Sequence, residues 1–219
     1  MIERLEERYF QFNRWLSPAG SVVAILFGLS ILIGWVWNIR FLRSIPGETY
    51  QAKPLTALGL MIGGAALLFI CVDRGPGWFT RVGQFFAFTF GLFGVYIVAD
   101  HLITNIDLGS GSLFFGDQAP LDPLVPSGRP AIETGVIFVL AAFSIFGLVF
   151  RKRIAILAAN LAAVVALMLA LVAVILYFFD FRVFDDVPIL SSIALNTAIT
   201  VLVLLFAALH AYRERGFLA

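Results

Sequence analysis

Long unbroken runs of Leu, Ile, Val, Phe and Ala dominate the chain, separated by short polar stretches. Six of them, over residues 19–39, 55–72, 82–104, 131–150, 154–179 and 190–212, each hold the ~20 apolar residues that a helix needs to cross a ~30 Å hydrocarbon layer. A membrane β-barrel would alternate apolar and polar residues over short segments. These runs are continuous, so the pattern predicts an all-α, polytopic membrane fold of six transmembrane helices. Ahead of them, residues 1–17 read differently. Ile2, Leu5, Tyr9, Phe12 and Leu16 recur at three- and four-residue steps among Glu3, Arg4, Glu6, Glu7, Arg8 and Arg14. That spacing predicts an amphipathic helix lying along the membrane surface, and the charges exclude a signal peptide. Ser17-Pro18 reads as a helix restart, with Ser as N-cap and Pro in the first turn, so the six-helix domain is expected over 18–219.

Composition agrees with the pattern. Of 219 residues, 61% are hydrophobic and 13% charged, which excludes a soluble domain. The net charge of +1 gives no electrostatic case for a nucleic-acid partner. Cys71, the single cysteine, can form no internal disulfide. Placing the N-terminus in the cytoplasm puts 10 of the 15 Lys and Arg residues inside, with Arg151-Lys152-Arg153 the clearest marker. Glu48, Asp107, Asp117, Asp122, Asp180, Asp185 and Asp186 then lie outside. Both termini are expected in the cytoplasm, in a bacterial inner membrane. Arg40, Arg43 and Lys53, in the first outer connection, fit this rule least well.

The chain also repeats itself. Pro54-Leu55-Thr56-Ala57, Glu133-Thr134-Gly135 and Asn196-Thr197-Ala198 each place a Thr and a small residue near the outer end of an inward-going helix. The first two follow turns at Ile45-Pro46-Gly47 and Pro126-Ser127-Gly128, and the third follows Val187-Pro188. Three occurrences at equivalent positions outweigh chance and predict three out-and-back helical hairpins.

These residues carry a resemblance. Lys53-Pro54-Leu55-Thr56-Ala57 with Gly63, then Ile106-Asp107, Leu113-Phe114-Phe115, Pro126, Gly128-Arg129 and Thr134 resemble the N-terminal membrane region of bacterial sensor histidine kinases. Asn196-Thr197-Ala198 and Arg213-Glu214-Arg215-Gly216 do so as well, and the likeness runs from about Trp35 to Leu218. It implies a shared membrane fold. Such relatives continue into further membrane helices, a PAS module and a kinase or cyclase output, whereas this chain stops just after its last helix. Gly135 stands where the family has Ala, and Pro130 where it often has Met. No kinase activity is carried over.

Polar residues inside a membrane are costly, so each is a functional candidate. Asp100 and His101 lie near the outer end of the third helix, and Thr56, Glu133, Thr134, Asn196 and Thr197 share that depth. Together they form a candidate outer polar layer, able to exchange protons or meet a cation. Water at the interface accounts well for Glu133 and Asn196; for Asp100 and His101 the hydrated and functional readings stand level. His101 and His210 lie near opposite ends of the bundle, so a bis-histidine haem is not expected. His210 and Tyr212 are expected in an inner interfacial belt.

Gly59 and Gly63 form a G-x-x-x-G, whose use is packing within the bundle or against a partner helix. Ala158, Ala159, Ala162, Ala163 and Ala166 give the fifth segment a small-residue face, and Asn160 there is expected to bond a neighbouring helix. Phe85, Phe86, Phe88, Phe90 and Phe93 crowd the third segment, consistent with lipid, quinone or pigment contact, and lipid alone suffices. No Walker loop, zinc spacing or serine elbow is present. The sequence therefore predicts a non-catalytic membrane protein of the sensor-domain type, passing changes in helix packing to a signalling partner. The rival is an accessory subunit docked on other membrane-protein subunits, as in a respiratory or photosynthetic complex. A proton-linked transporter, resting on Asp100 and His101, ranks third.

Overall fold

The structure is a computed structural model, and it describes residues 2–44, 51–72, 77–103, 130–150, 152–179 and 193–214. Seven helices occupy these residues: α1 (Ile2–Val36), α2 (Arg40–Arg43), α3 (Pro54–Cys71), α4 (Trp78–Leu102), α5 (Ile132–Gly147), α6 (Arg153–Phe179) and α7 (Leu195–Glu214). Five of them, namely α1 from Trp15 onward, α3, α4, α6 and α7, are long and apolar enough to cross a membrane. The expected fourth span, α5, is a 16-residue helix. At 1.5 Å per residue it covers about 24 Å, short of the ~30 Å hydrocarbon layer. Its apolar tract runs on through Leu148 and Val149, whose amides bond to Ile145 and Phe146 three residues back, so the chain tightens into turns there.

The restart expected at Ser17-Pro18 does not occur. Helix α1 runs unbroken from Ile2 to Val36 with Pro18 inside it. An interior proline forfeits one ladder hydrogen bond yet leaves φ helical, so in sequence it looks the same as a proline in a first turn. The Ser21 hydroxyl donates to the Ser17 carbonyl at 2.8 Å, giving a backbone acceptor beside the proline a further partner. Just past the end of α1 at Val36, Asn38 has a left-handed φ of 55°, while the Ile39 amide reaches back to the Gly34 carbonyl at 2.8 Å. That is a Schellman-type stop, with Asn in the position glycine usually takes.

Each long helix packs on the next in sequence, and α7 returns to pack on α1, closing a ring. Neighbours run antiparallel. Gly28 of α1 lies against Ala57 of α3 while Gly64 of α3 lies against Ser21, and Gly20 of α1 meets Ala207 of α7. Helices α3, α5 and α7 also touch one another, whereas α1, α4 and α6 have no mutual contact among the described residues. The result is an inner triangle and an outer trio. Burial follows: 67% of the α7 span is buried, against 28% for α4 and for α6. The outer trio turns its large side chains outward, Phe85 and Phe88 on α4 and Leu157, Leu161 and Met168 on α6 among them. Inward, α6 presents Ala159, Ala162, Ala163 and Ala166. Small residues on the buried face and bulky ones outside suit helices whose outer surface is hydrocarbon.

The G-x-x-x-G of α3 is filled from within the bundle. A Cβ on Gly59 would strike the Phe138 ring of α5, and one on Gly63 would come 2.8 Å from the Phe90 ring of α4. Those two rings are themselves fully buried and lie 4.7 Å apart. They form an aromatic wedge that only a bare α3 backbone accommodates. Gly59→Ile should therefore lower stability by about 1–3 kcal/mol through overpacking. Combining it with Phe138→Ala should cost less than the sum of the two single changes, since the truncated ring leaves room. Thermal denaturation in detergent or nanodiscs measures the cycle, and additive losses would contradict this packing.

Candidate functional site

The first turns of α3, α5 and α7 meet at one end of the bundle, where α1 and α4 finish. Thr56, Thr134 and Thr197 are each the third residue of their helix, and all three are buried. The sequence repeat thus corresponds to equivalent starts of the three inner helices. Asp100, in the last turn of α4, is completely buried, and Glu133 is buried in the first turn of α5. A carboxylate in a first turn meets the positive end of the helix dipole. Neither Glu133 nor Asn196 is capped by bulk water as interfacial hydration would require: both are more than nine-tenths buried. Antiparallel alternation of the helices carries them into the packed end.

His101 turns away from this group. It is half-buried, and its Nδ1 donates to the Ile97 carbonyl of its own helix at 3.0 Å. Successive residues on a helix point about 100° apart, which separates the directions of Asp100 and His101.

A junction that the sequence reading missed lies at this end. The Arg43 carbonyl accepts two hydrogen bonds, from the Ala52 amide at 3.0 Å and from Asn196 Nδ2 at 3.0 Å. Trp35 Nε1 donates to the Ala52 carbonyl at 2.8 Å. Asn196 Oδ1 takes the Thr197 amide at 2.8 Å, and its backbone carbonyl takes the Thr200 hydroxyl at 2.6 Å. One asparagine therefore serves one orphan donor of its own helix start and ties α7 to the end of α2. The Arg43 side chain is buried as well. Its Nη2 donates to Asn38 Oδ1, and its guanidinium carbon sits 4.8 Å above the Trp35 ring. Burial first, and then the neighbouring Arg40 cation, push the Arg43 guanidinium below its ordinary range. An arginine stays charged all the same. The signal in the sequence was the poor fit of Arg40, Arg43 and Lys53 to the inside–outside charge count. Arg43 fits poorly because it is not a solvated loop charge.

The opposite end has a smaller counterpart. Tyr212 is fully buried, not in an interfacial belt, and its hydroxyl donates to the Ser144 carbonyl of α5 at 2.5 Å. His210 beside it is half-buried. Asn160 is buried on α6, and its amide donates back to Ile156 of the same helix at 3.1 Å instead of to a neighbouring helix. Among the described residues no three His, Cys, Asp or Glu side chains converge as metal ligands. Residues 104–129, with Asp107 and Asp117, lie outside the described residues.

No family model, no curated protein and no solved structure matches this chain.

Asn196→Ala should cost about 1–3 kcal/mol, because it strips the Arg43 carbonyl and the Thr197 amide of one partner each. Asp100→Ala should cost a similar amount, whereas Trp37→Ala, on an exposed side chain, should stay within about 0.5 kcal/mol. Thermal or chemical unfolding of the three variants checks this order. Equal stability of all three would make the polar end a hydrated surface.

Proposed function

We propose that this chain is a non-catalytic membrane module of the sensor-domain type, with six crossings arranged as three hairpins and both termini in the cytoplasm of a bacterial cell. The observation that carries the reading is the position of α7. It is the most buried of the spans, it is bonded through Asn196 to the Arg43 junction at one end, and through Tyr212 to α5 at the other. A shift at the polar end is therefore transmitted along a helix gripped at both ends, instead of being absorbed by a loop. The apolar tract 131–150 supplies the sixth crossing, as α5 and the turns that follow it. The polar end faces outward and the Tyr212 end, with the Arg151-Lys152-Arg153 turn, faces the cytoplasm. The module works by changing helix packing and handing that change to a signalling partner in the membrane; its outer faces meet lipid.

Two measurements test this. Single cysteines in a Cys71→Ser background should react with an impermeant reagent in intact cells at residue 117 and not at residue 152; the reverse pattern would invert the topology. Tagged chain drawn from native membranes in mild detergent should carry a signalling protein with it. Recovery as a stoichiometric part of a large respiratory or photosynthetic assembly would make the chain an accessory subunit instead.

A further inference from the structure

Arg43 poses an electrostatic problem that the described residues leave unsolved. Its side chain is 5% exposed, and its partners are a neutral amide and an indole face. Nε is buried with no hydrogen-bond partner, and among the described residues no carboxylate lies against the guanidinium. Three residues earlier on the same short helix stands Arg40, exposed, which adds a second positive charge to the same face. Buried cations elsewhere in proteins are paired, because an uncompensated charge out of water is strongly destabilising. Among the described residues no anion supplies the pairing charge.

The surroundings of α2 are suited to an anion from the membrane. The segment follows directly on the end of the first span at Val36, which puts it at headgroup depth. Trp37 and Phe41 flank Arg40 and are 67% and 72% exposed, and Ile39 beside them is 42% exposed. Amphipathic aromatics on either side of an arginine at a span end suit the boundary between acyl chains and phosphates. We propose that α2 is a docking site for an anionic phospholipid, whose phosphate is held by Arg40 and faces the charge of Arg43 while its acyl region lies on Trp37 and Phe41. Arginine is suited to this role, since its fork of donors matches phosphate oxygens. The bound lipid would brace the Arg43 junction, and through Asn196 it would brace the start of α7. The proposal needs only that the chain sits in a membrane; it holds whether or not the module signals.

The test is the thermal stability of the full chain in nanodiscs. Replacing a fraction of phosphatidylcholine with phosphatidylglycerol should raise Tm by about 3–5 °C, as expected for a ligand that binds only the folded state. Arg40→Gln, a change at an exposed side chain, should remove most of that rise while keeping the Tm measured in phosphatidylcholine. Arg43→Gln should remove it too and, should that variant fail to fold, Arg40→Gln decides alone. Arg153→Gln, exposed at the opposite end, should keep the full rise. The proposal is overturned if Tm is the same in both lipids, or if Arg153→Gln loses as much as Arg40→Gln, which would mean a diffuse charge effect. It is overturned equally if inorganic phosphate in phosphatidylcholine discs reproduces the rise, which would mark a free-anion site.

Discussion

How closely three helices can approach one another governs the architecture. Helices α3, α5 and α7 share the centre of the bundle, and hydrocarbon offers no hydrophobic drive to push them together. Their cohesion comes from packing and from a small number of hydrogen bonds. Gly59 and Gly63 leave α3 bare where Phe138 and Phe90 press against it, and Gly147 of α5 admits Ala159 and the Tyr212 hydroxyl. The outer helices then only need to lay a small-residue face on this centre and show large side chains to lipid. That division explains why α6, the most hydropathic of the spans, is also among the least buried.

Because the centre is dry and tight, the polar groups at its ends bear directly on how the helices are placed. Asn196 is the clearest case: one side chain completes the start of α7 and ties it to the carbonyl of Arg43. Tyr212 does the corresponding work at the other end, on Ser144. Helix α7 is thus tied at both ends of the bundle. The buried cation of Arg43 sits beside the Asn196 tie.

Much of this was legible in the sequence, and for a physical reason. Continuous apolar runs leave helix as the only economical backbone, so α3, α4, α6 and α7 begin and end within a few residues of where the hydropathy pattern places them. The repeat around Thr56, Thr134 and Thr197 was readable as well, and it marks the helices that become the inner triangle. What the pattern does not encode is direction around a helix when every position is apolar. Tyr212 at a helix end therefore reads as an interfacial anchor although it points inward, and Asn160 reads as a bridge although it bonds its own helix. Pro18 was misplaced because a first-turn proline and an interior one share the same φ. Arg43 is hidden in the sequence because an arginine between two spans has the pattern of a solvated loop charge. Its anomaly in the charge count was the one available clue.

The first and last spans close the ring, with α7 held against α1. A Cβ at Gly20 would lie 2.6 Å from the Ala207 Cβ, so cysteines at these two positions need only a small separation to reach disulfide geometry. In a Cys71→Ser background, mild oxidation of native membranes should give an intramolecular cross-link between residues 20 and 207. The pair at Gly91 and Ala142, whose Cβ atoms would be 3.3 Å apart between α4 and α5, serves as a positive control. A cross-link at 91–142 with none at 20–207, or with links only between separate chains, would show that α7 does not return to α1 and would contradict the closed ring.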